Sequence, residues 1–176
     1  MSLLELSKKS APQAEARQFV AFRVGKEEYG LDIAAVAEVV RPLRITPLPR
    51  MPEFIEGVIN LRGTIIPAVD LRKRFAIGIM PGGERTARMI ITKGALKERA
   101  PRGRGLLALV VDAVDEVLTI SPDRIDRTPE AATGAHAEFL AGVGKLNDRL
   151  IILIDLSRIL SREERSALAE VKDAGA

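Results

Sequence analysis

The sequence predicts a mainly β fold in which two small, related barrels pack side by side with a groove between them. Three observations predict it. Phe54-Ile55-Glu56-Gly57-Val58 and Phe139-Leu140-Ala141-Gly142-Val143 share one pattern at an offset of 85 residues. The same offset carries Leu61 onto Leu146, Ile66 onto Ile151, Asp70 onto Asp155, Leu71 onto Leu156 and Phe75 onto Leu160, with no gap. Upstream, Leu31, Ile33, Val36, Glu38 and Val39 match Leu109, Val111, Val114, Glu116 and Val117 at an offset of 78, so the second copy is seven residues longer between the blocks. The third observation is a series of short apolar segments broken by turn residues, and a sheet closed on itself is how many short strands avoid exposed edges.

Taken in order, residues 1 to 17 read as a polar leader, 18–168 as the folded domain and 169–176 as a tail. Met1 to Lys9 holds too short an apolar stretch, interrupted by Glu5, to act as a secretory segment, so the protein is expected to be cytoplasmic. Phe19, Ala21 and Phe22 lead through Gly25-Lys26-Glu27-Glu28 to Tyr29–Ile33, which is the pattern of a hairpin. Further strands are expected at Val58–Leu61, Thr64–Val69, Arg88–Thr92, Leu106–Val111, Glu116–Ile120, Val143–Leu146 and Leu150–Ile154. Several are apolar on both faces and should be enclosed. Lys93–Gly105 reads as a basic hairpin loop.

Each copy then reads as turn, strand, turn, strand, helix. Asp70 and Asp155 precede Leu71 and Leu156, where a carboxylate accepts the free amide hydrogens of a helix's first turn. Ser161-Arg162-Glu163-Glu164 has the spacing of a capping box and should open a last helix running to about Val171.

Composition narrows the chemistry. The 176 residues are 47% hydrophobic, enough for a sizeable core, and 29% charged with a net charge of +3, which concentrates no field for nucleic acid. No cysteine is present, which removes disulfides, thiolate metal sites and cysteine nucleophiles. His136 is the lone histidine, set in a loop of small residues without a second histidine for zinc. Ser157 lacks the G-x-S-x-G elbow of a hydrolase, and Gly103-x-Gly105-x-x-Ala108 precedes its strand where a dinucleotide fingerprint must follow one. Arg99, Arg102 and Arg104 could grip phosphates, but aromatics are 3% of the chain and leave little to stack bases on. No catalytic residue, cofactor or metal is assigned, and an enzyme reading has no constellation behind it.

The most specific residues lie between Val36 and Leu71: V-x-E-V at Val36–Val39, then Pro52-Glu53-Phe54-Ile55-Glu56-Gly57-Val58-Ile59-Asn60-Leu61-Arg62-Gly63, then Val69-Asp70-Leu71, with Tyr29-Gly30 upstream. This pattern resembles the CheW family of chemotaxis coupling proteins from about Gln18 to Leu168. The resemblance implies two intertwined five-stranded SH3-like β-barrels, with short helices and a C-terminal helix. It also implies a non-enzymatic adaptor: one surface docks the regulatory domain of a CheA-type histidine kinase, itself similar to CheW, and another takes the cytoplasmic hairpin tip of a chemoreceptor. Such an adaptor needs no membrane insertion of its own, being recruited to membrane-associated receptor arrays.

Carried over by motif, the protein-binding residues are Val36, Glu38, Val58, Leu61 and Arg62. Glu38 and Arg62 are expected to face each other near the groove, the arginine partly buried with its stem packed, while the three apolar residues line contact area or serve the core. Gly57 and Gly63 are expected to permit turns that a Cβ would obstruct, with Gly142 repeating Gly57 in the second copy. Pro47, Pro49 and Pro52 stiffen the crossing between elements. Two departures stand out: Lys93–Gly105 is longer than in most relatives, and Leu146-Asn147-Asp148 stands where the first copy has Leu61-Arg62-Gly63. Two alternatives remain open, a CheW-like scaffold in another motility or regulatory pathway and a small basic RNA-binding module.

Overall fold

In a computed structural model of the chain, the structure describes residues 15–78, 83–96, 105–127 and 137–174. His136, the arginines of the basic loop and residues 1–14 of the leader lie outside them. Eleven strands and two α-helices run in the order β1 (Arg17–Val24), β2 (Glu27–Asp32), β3 (Val36–Val40), β4 (Ile55–Leu61), β5 (Thr64–Asp70), α1 (Leu71–Arg74), β6 (Arg88–Thr92), β7 (Leu107–Val111), β8 (Ala113–Ile120), β9 (Ile125–Asp126), β10 (Leu140–Leu146), β11 (Arg149–Ile154) and α2 (Arg162–Ala174) among the described residues.

Two sheets result, a six-stranded one ordered β8-β1-β2-β11-β10-β9 and a five-stranded one ordered β3-β6-β7-β5-β4. Exchanging copies maps one order onto the other: β1 answers to β6, β2 to β7, β8 to β3, β11 to β5 and β10 to β4. The detail follows suit. β5 and β7 run parallel with Ala68 beside Ala108, and β11 and β2 run parallel with Leu153 beside Gly30, which are the same two positions one repeat apart. The bulge between Ile55 and Gly57 recurs between Leu140 and Gly142.

Neither sheet is made from one copy. β1 and β2 of the first copy share a sheet with β8, β10 and β11 of the second, joined through β1–β8 and β2–β11, while β3, β4 and β5 share one with β6 and β7, joined through β3–β6 and β5–β7. The two-barrel arrangement is therefore intertwined. The sixth strand, β9, is a two-residue pairing of Ile125-Asp126 with Gly144 and Val143; its twin is the single bridge between Thr46 and Val58. Five expected strands became six because that crossing makes one pair more in the second copy.

Each sheet has a core of its own. Ile59, Ile66, Ala68, Met89, Ile91 and Ala108 fill the five-stranded one, and Phe19, Ala21, Leu118, Ile120, Ile151 and Leu153 the six-stranded one. A larger third cluster joins them, including Leu31, Leu71, Ile90, Leu109 and Ile154. Through it runs an aromatic column with ring centres 5.7 Å apart from Phe22 to Tyr29, 5.1 Å from Tyr29 to Phe75 and 5.4 Å from Phe75 to Phe139. Burying a side chain such as Phe75 contributes about 2 kcal/mol, so this column is a principal tie between the sheets.

The helices are shorter than the repeat suggested. Asp70 accepts the Arg72 amide at 2.9 Å, and α1 ends one turn later where Ala76 takes a φ of 55°. Asp155 accepts the Ser157 amide at 3.0 Å, yet only a 3-10 turn, Leu156–Arg158, follows. The reason is local: the Ser161 hydroxyl accepts the Glu164 amide at 3.1 Å while Glu164 Oε1 accepts the Ser161 amide at 3.0 Å, and this capping box starts α2 afresh. Arg17, assigned to the leader by sequence, is the first residue of β1 and pairs with Ile120, and α2 extends beyond residue 168, where the tail was expected to begin.

Candidate functional site

β3 brings Glu38 to the edge of the five-stranded sheet, and the two-residue turn between β4 and β5 brings Arg62 to meet it. Arg62 and Gly63 take φ values of 49° and 87°, the paired positive values that match a tight hairpin to the twist of its strands. Asn60 Oδ1 accepts the Gly63 amide at 2.8 Å and holds the turn. From there the Arg62 guanidinium donates to the Glu38 carboxylate.

Arg62 is more open than its motif implied. Its side chain is 71% exposed and that of Glu38 34%, so the pair lies at the surface and the arginine stem is not packed away. An exposed ion pair adds little to stability, which leaves the guanidinium able to meet a partner.

The apolar residues of the motif separate. Val36 packs against the central cluster and Leu61 against the core of the five-stranded sheet, while half-buried Val58 exchanges hydrogen bonds of 2.8 and 2.9 Å with Thr46. The exposed apolar neighbours are instead Val39, 40% exposed, next to Glu38, and Ile65, 40% exposed, just past the turn. Both have exposed twins in the other sheet, Val117 and Leu150.

Gly57 lies inside β4 rather than in a turn. Its φ is 144°, and a Cβ there would stand 2.0 Å from the Thr46 carbonyl oxygen, so the crossing segment rests directly on it. Gly142 shares the position but has no positive φ, and a Cβ would approach the Asp126 carbonyl to 3.0 Å. The second copy therefore repeats the close approach without the strain.

Sequence reasoning missed the other end of the molecule. Arg149 donates to Glu28 through Nε at 3.1 Å and Nη2 at 2.7 Å, and through Nη1 to Glu116 at 3.1 Å. Glu116 is the repeat of Glu38. The Asn147 that stands at Arg62's position looked like a loss, yet an arginine two residues further on restores the pairing. That hydrogen bonding holds the Glu28 carboxyl below its usual range and raises the already basic guanidinium.

A cleft of about 690 Å³ opens in the six-stranded sheet where the chain leaves β2 for β3. Phe19, Leu31, Leu140, Leu153 and Leu156 supply its apolar walls, and Arg17, Asp32, Arg127, Asp155 and Arg158 its polar ones. Arg17 bonds Asp32 at 2.6 Å and lies 5.1 Å from the Phe19 ring centre. Burial pushes the Asp32 carboxyl up, but hydrogen bonds from Arg17 and the Ala34 amide outweigh it and leave the group lowered. The walls come from the six-stranded sheet and the segments that follow β2, β9 and β11.

Among the described residues no cluster of histidine, cysteine and carboxylate side chains could hold a metal ion, and no helix is long and apolar enough to cross a membrane. The geometry offers exposed ion pairs and a cleft with both apolar and charged walls.

Comparison with known proteins gives these surfaces a setting. The chain is 34% identical over 171 residues to the chemotaxis protein CheW of Klebsiella aerogenes, covering 97% of this chain and 98% of that one. It is 37% identical over 151 residues to the chemotaxis protein CheW of Rhizobium meliloti, covering 86% and 92%. Protein FrzA of Myxococcus xanthus is 33% identical over 162 residues, covering 90% and 95%. The crystal structure of the scaffolding protein TtCheW from Thermoanaerobacter tengcongensis superposes with a TM-score of 0.73 at 39% identity, covering 85% of this chain and 95% of that one. These likenesses support a non-enzymatic scaffold role in chemotaxis. With residues 18–164 matching the model of the CheW-like domain, and relatives of this identity along nearly the whole length, the chain belongs to the CheW family.

Proposed function

We propose that the chain is a cytoplasmic adaptor that couples the hairpin tip of a chemoreceptor to the regulatory domain of a CheA-type histidine kinase, and that it is recruited in this way to membrane-associated receptor arrays. The observation that carries the reading is the surface Glu38–Arg62 pair, its arginine side chain 71% exposed, in a chain of the CheW family. The kinase domain docks at this end, where a planar guanidinium can leave its own carboxylate for a partner's. The receptor tip lies in the cleft beside β2, whose apolar walls suit a helix and whose arginines and aspartates set its orientation.

No bond is made or broken. The adaptor acts by holding two partners so that a change in one alters the equilibrium of the other. Each contact is expected to be moderate, about −8 kcal/mol or micromolar, since arrays gain strength from many joined interfaces. Arg62→Ala tests the reading: receptor-dependent kinase activation should fall in a reconstituted assay while unfolding stays cooperative. Full activation by that variant would remove the assignment.

A relative that carries another name, Protein FrzA, supports a second reading in which the same surfaces serve a different pathway. Pull-down from lysate separates the two by which kinase is recovered.

A further inference from the structure

We infer that the buried cluster of Asp70, Arg72 and Asp112 is a pin that fixes how the two sheets sit against each other. Asp112 is the one-residue link between β7 of the five-stranded sheet and β8 of the six-stranded sheet. Its Oδ1 receives Arg72 Nη1 at 3.3 Å from α1, which follows the five-stranded sheet, and its Oδ2 receives the Gly25 amide at 2.7 Å from the β1–β2 turn of the other. Its backbone is tied as well, by its own amide to the Arg23 carbonyl at 3.0 Å and by the Thr86 hydroxyl to its carbonyl at 2.7 Å. Arg72 is held in turn by Asp70, through Nε at 3.2 Å and Nη2 at 3.0 Å.

These groups are enclosed: Asp70 is 4% and Asp112 6% exposed, and the Arg72 side chain 14%. Burying three charges is unfavourable unless pairing and hydrogen bonding are nearly complete, so such a cluster is a poor means of merely filling space.

The duplication shows what the cluster is not needed for. At the twin positions the chain has Ser157 for Arg72 and Ala34 for Asp112, and the six-stranded sheet nevertheless forms with the same strand order and bulge. Making a sheet of this kind does not require the charges. What the cluster adds is a directed connection from one sheet to the other. The apolar cluster between them is non-directional and tolerates sliding, whereas bonds of fixed length and angle admit one arrangement. The β1–β2 turn is also seated closely, since a Cβ at Gly25 would come within 2.6 Å of Ile77 Cγ2, just after α1.

Lys93, just after β6, and Lys145, within β10, are exposed and lie on different sheets, and the chain has no native cysteine, so Lys93→Cys and Lys145→Cys allow two spin labels. Pulsed dipolar spectroscopy should give a narrow distance distribution in the labelled parent. Asp112→Ala should broaden or shift it with unfolding still cooperative, and Asp112→Asn, whose single amide oxygen can accept from only one of Gly25 and Arg72, should recover only part of the width. A distribution for Asp112→Ala that matches the parent overturns the pin. If Asp112→Ala does not fold, Arg72→Met is read in the same way, and failure of both to fold also overturns it, because the cluster would then hold the sheets themselves.

A second arm rests on the adaptor reading. Asp112→Ala should lower receptor-dependent kinase activation about fivefold while each partner, tested alone, binds as to the parent. Weakened binding of either partner would count against a positioning role. The distance measurement needs no partner, so failure of the adaptor reading, seen with Arg62→Ala, is separable from failure of the pin.

Discussion

Arg149 grips Glu28 with two hydrogen bonds, of 2.7 and 3.1 Å, across 121 residues of chain. It joins β11 to β2, the parallel neighbours at the centre of the six-stranded sheet, and draws in Glu116 from β8. A fork of this kind favours the ionised carboxylate, and the Glu28 pKa lies below its ordinary 4.5 for that reason.

The pH dependence follows. In the unfolded chain Glu28 loses its partner and binds a proton more readily, so the folded form gains stability that is fully present above about pH 4.5 and is lost as pH falls through the lower folded value. Asp32, lowered from 3.8, works in the same direction over a more acid range. Thermal midpoints of the parent should therefore fall on acidification below pH 4.5, and Glu28→Gln should show a shallower fall. Parallel curves would mean that the ion pair carries no linkage.

Gly57 and Gly63 separate two uses of glycine. At Gly57 a positive φ coincides with a Cβ position 2.0 Å from the Thr46 oxygen, so Gly57→Ala should cost about 3 kcal/mol or more in denaturant unfolding. At Gly63 nothing stands within 4 Å, and Gly63→Ala should cost only about 1 kcal/mol from backbone conformation. Equal losses would contradict the contact with the crossing segment.

Ser161→Ala removes one half of the reciprocal cap on α2. The expected loss is about 1 kcal/mol, felt first in the amide protection of Glu164 and its neighbours. Leu168, 1% exposed in the central cluster, should keep the helix docked. Unchanged hydrogen exchange at Glu164 would show that the cap is redundant.

Arg62→Ala should leave stability within about 0.5 kcal/mol of the parent, as befits an ion pair whose arginine is 71% exposed. A much larger loss in denaturant unfolding would assign the pair to holding β3 against the β4–β5 hairpin rather than to a docking surface.

Much of this was legible along the chain. Strand β6 runs from Arg88 to Thr92 as the apolar pattern predicts, and the Ser161–Glu164 box starts its helix on the expected residue, because both depend on neighbours in sequence. The strand at Val36–Val40 was read as a motif and not as a strand, since its inward and outward residues mix Glu38 with valines. Of the candidate site, the meeting of Glu38 with Arg62 was foreseen and the openness of Arg62 was not, because exposure depends on what else reaches the same turn. Arg149 escaped notice for a related reason: its register differs by two residues from Arg62, and only folding brings a longer hairpin arm back to the same carboxylate.

By itself the sequence determined that the chain is duplicated, where most of its strands and its caps lie, and which family it belongs to, since side-chain pattern and spacing are local and are repeated in the two copies. Tertiary structure alone decided which strand of one copy lies beside which of the other, where the cleft opens, and that Asp112 meets Arg72 and Gly25. The physical reason is that sheets are joined through backbone groups that nearly every residue carries, so a strand's own residues do not name its neighbour. Which neighbour it gains is settled when the two copies bury their common core.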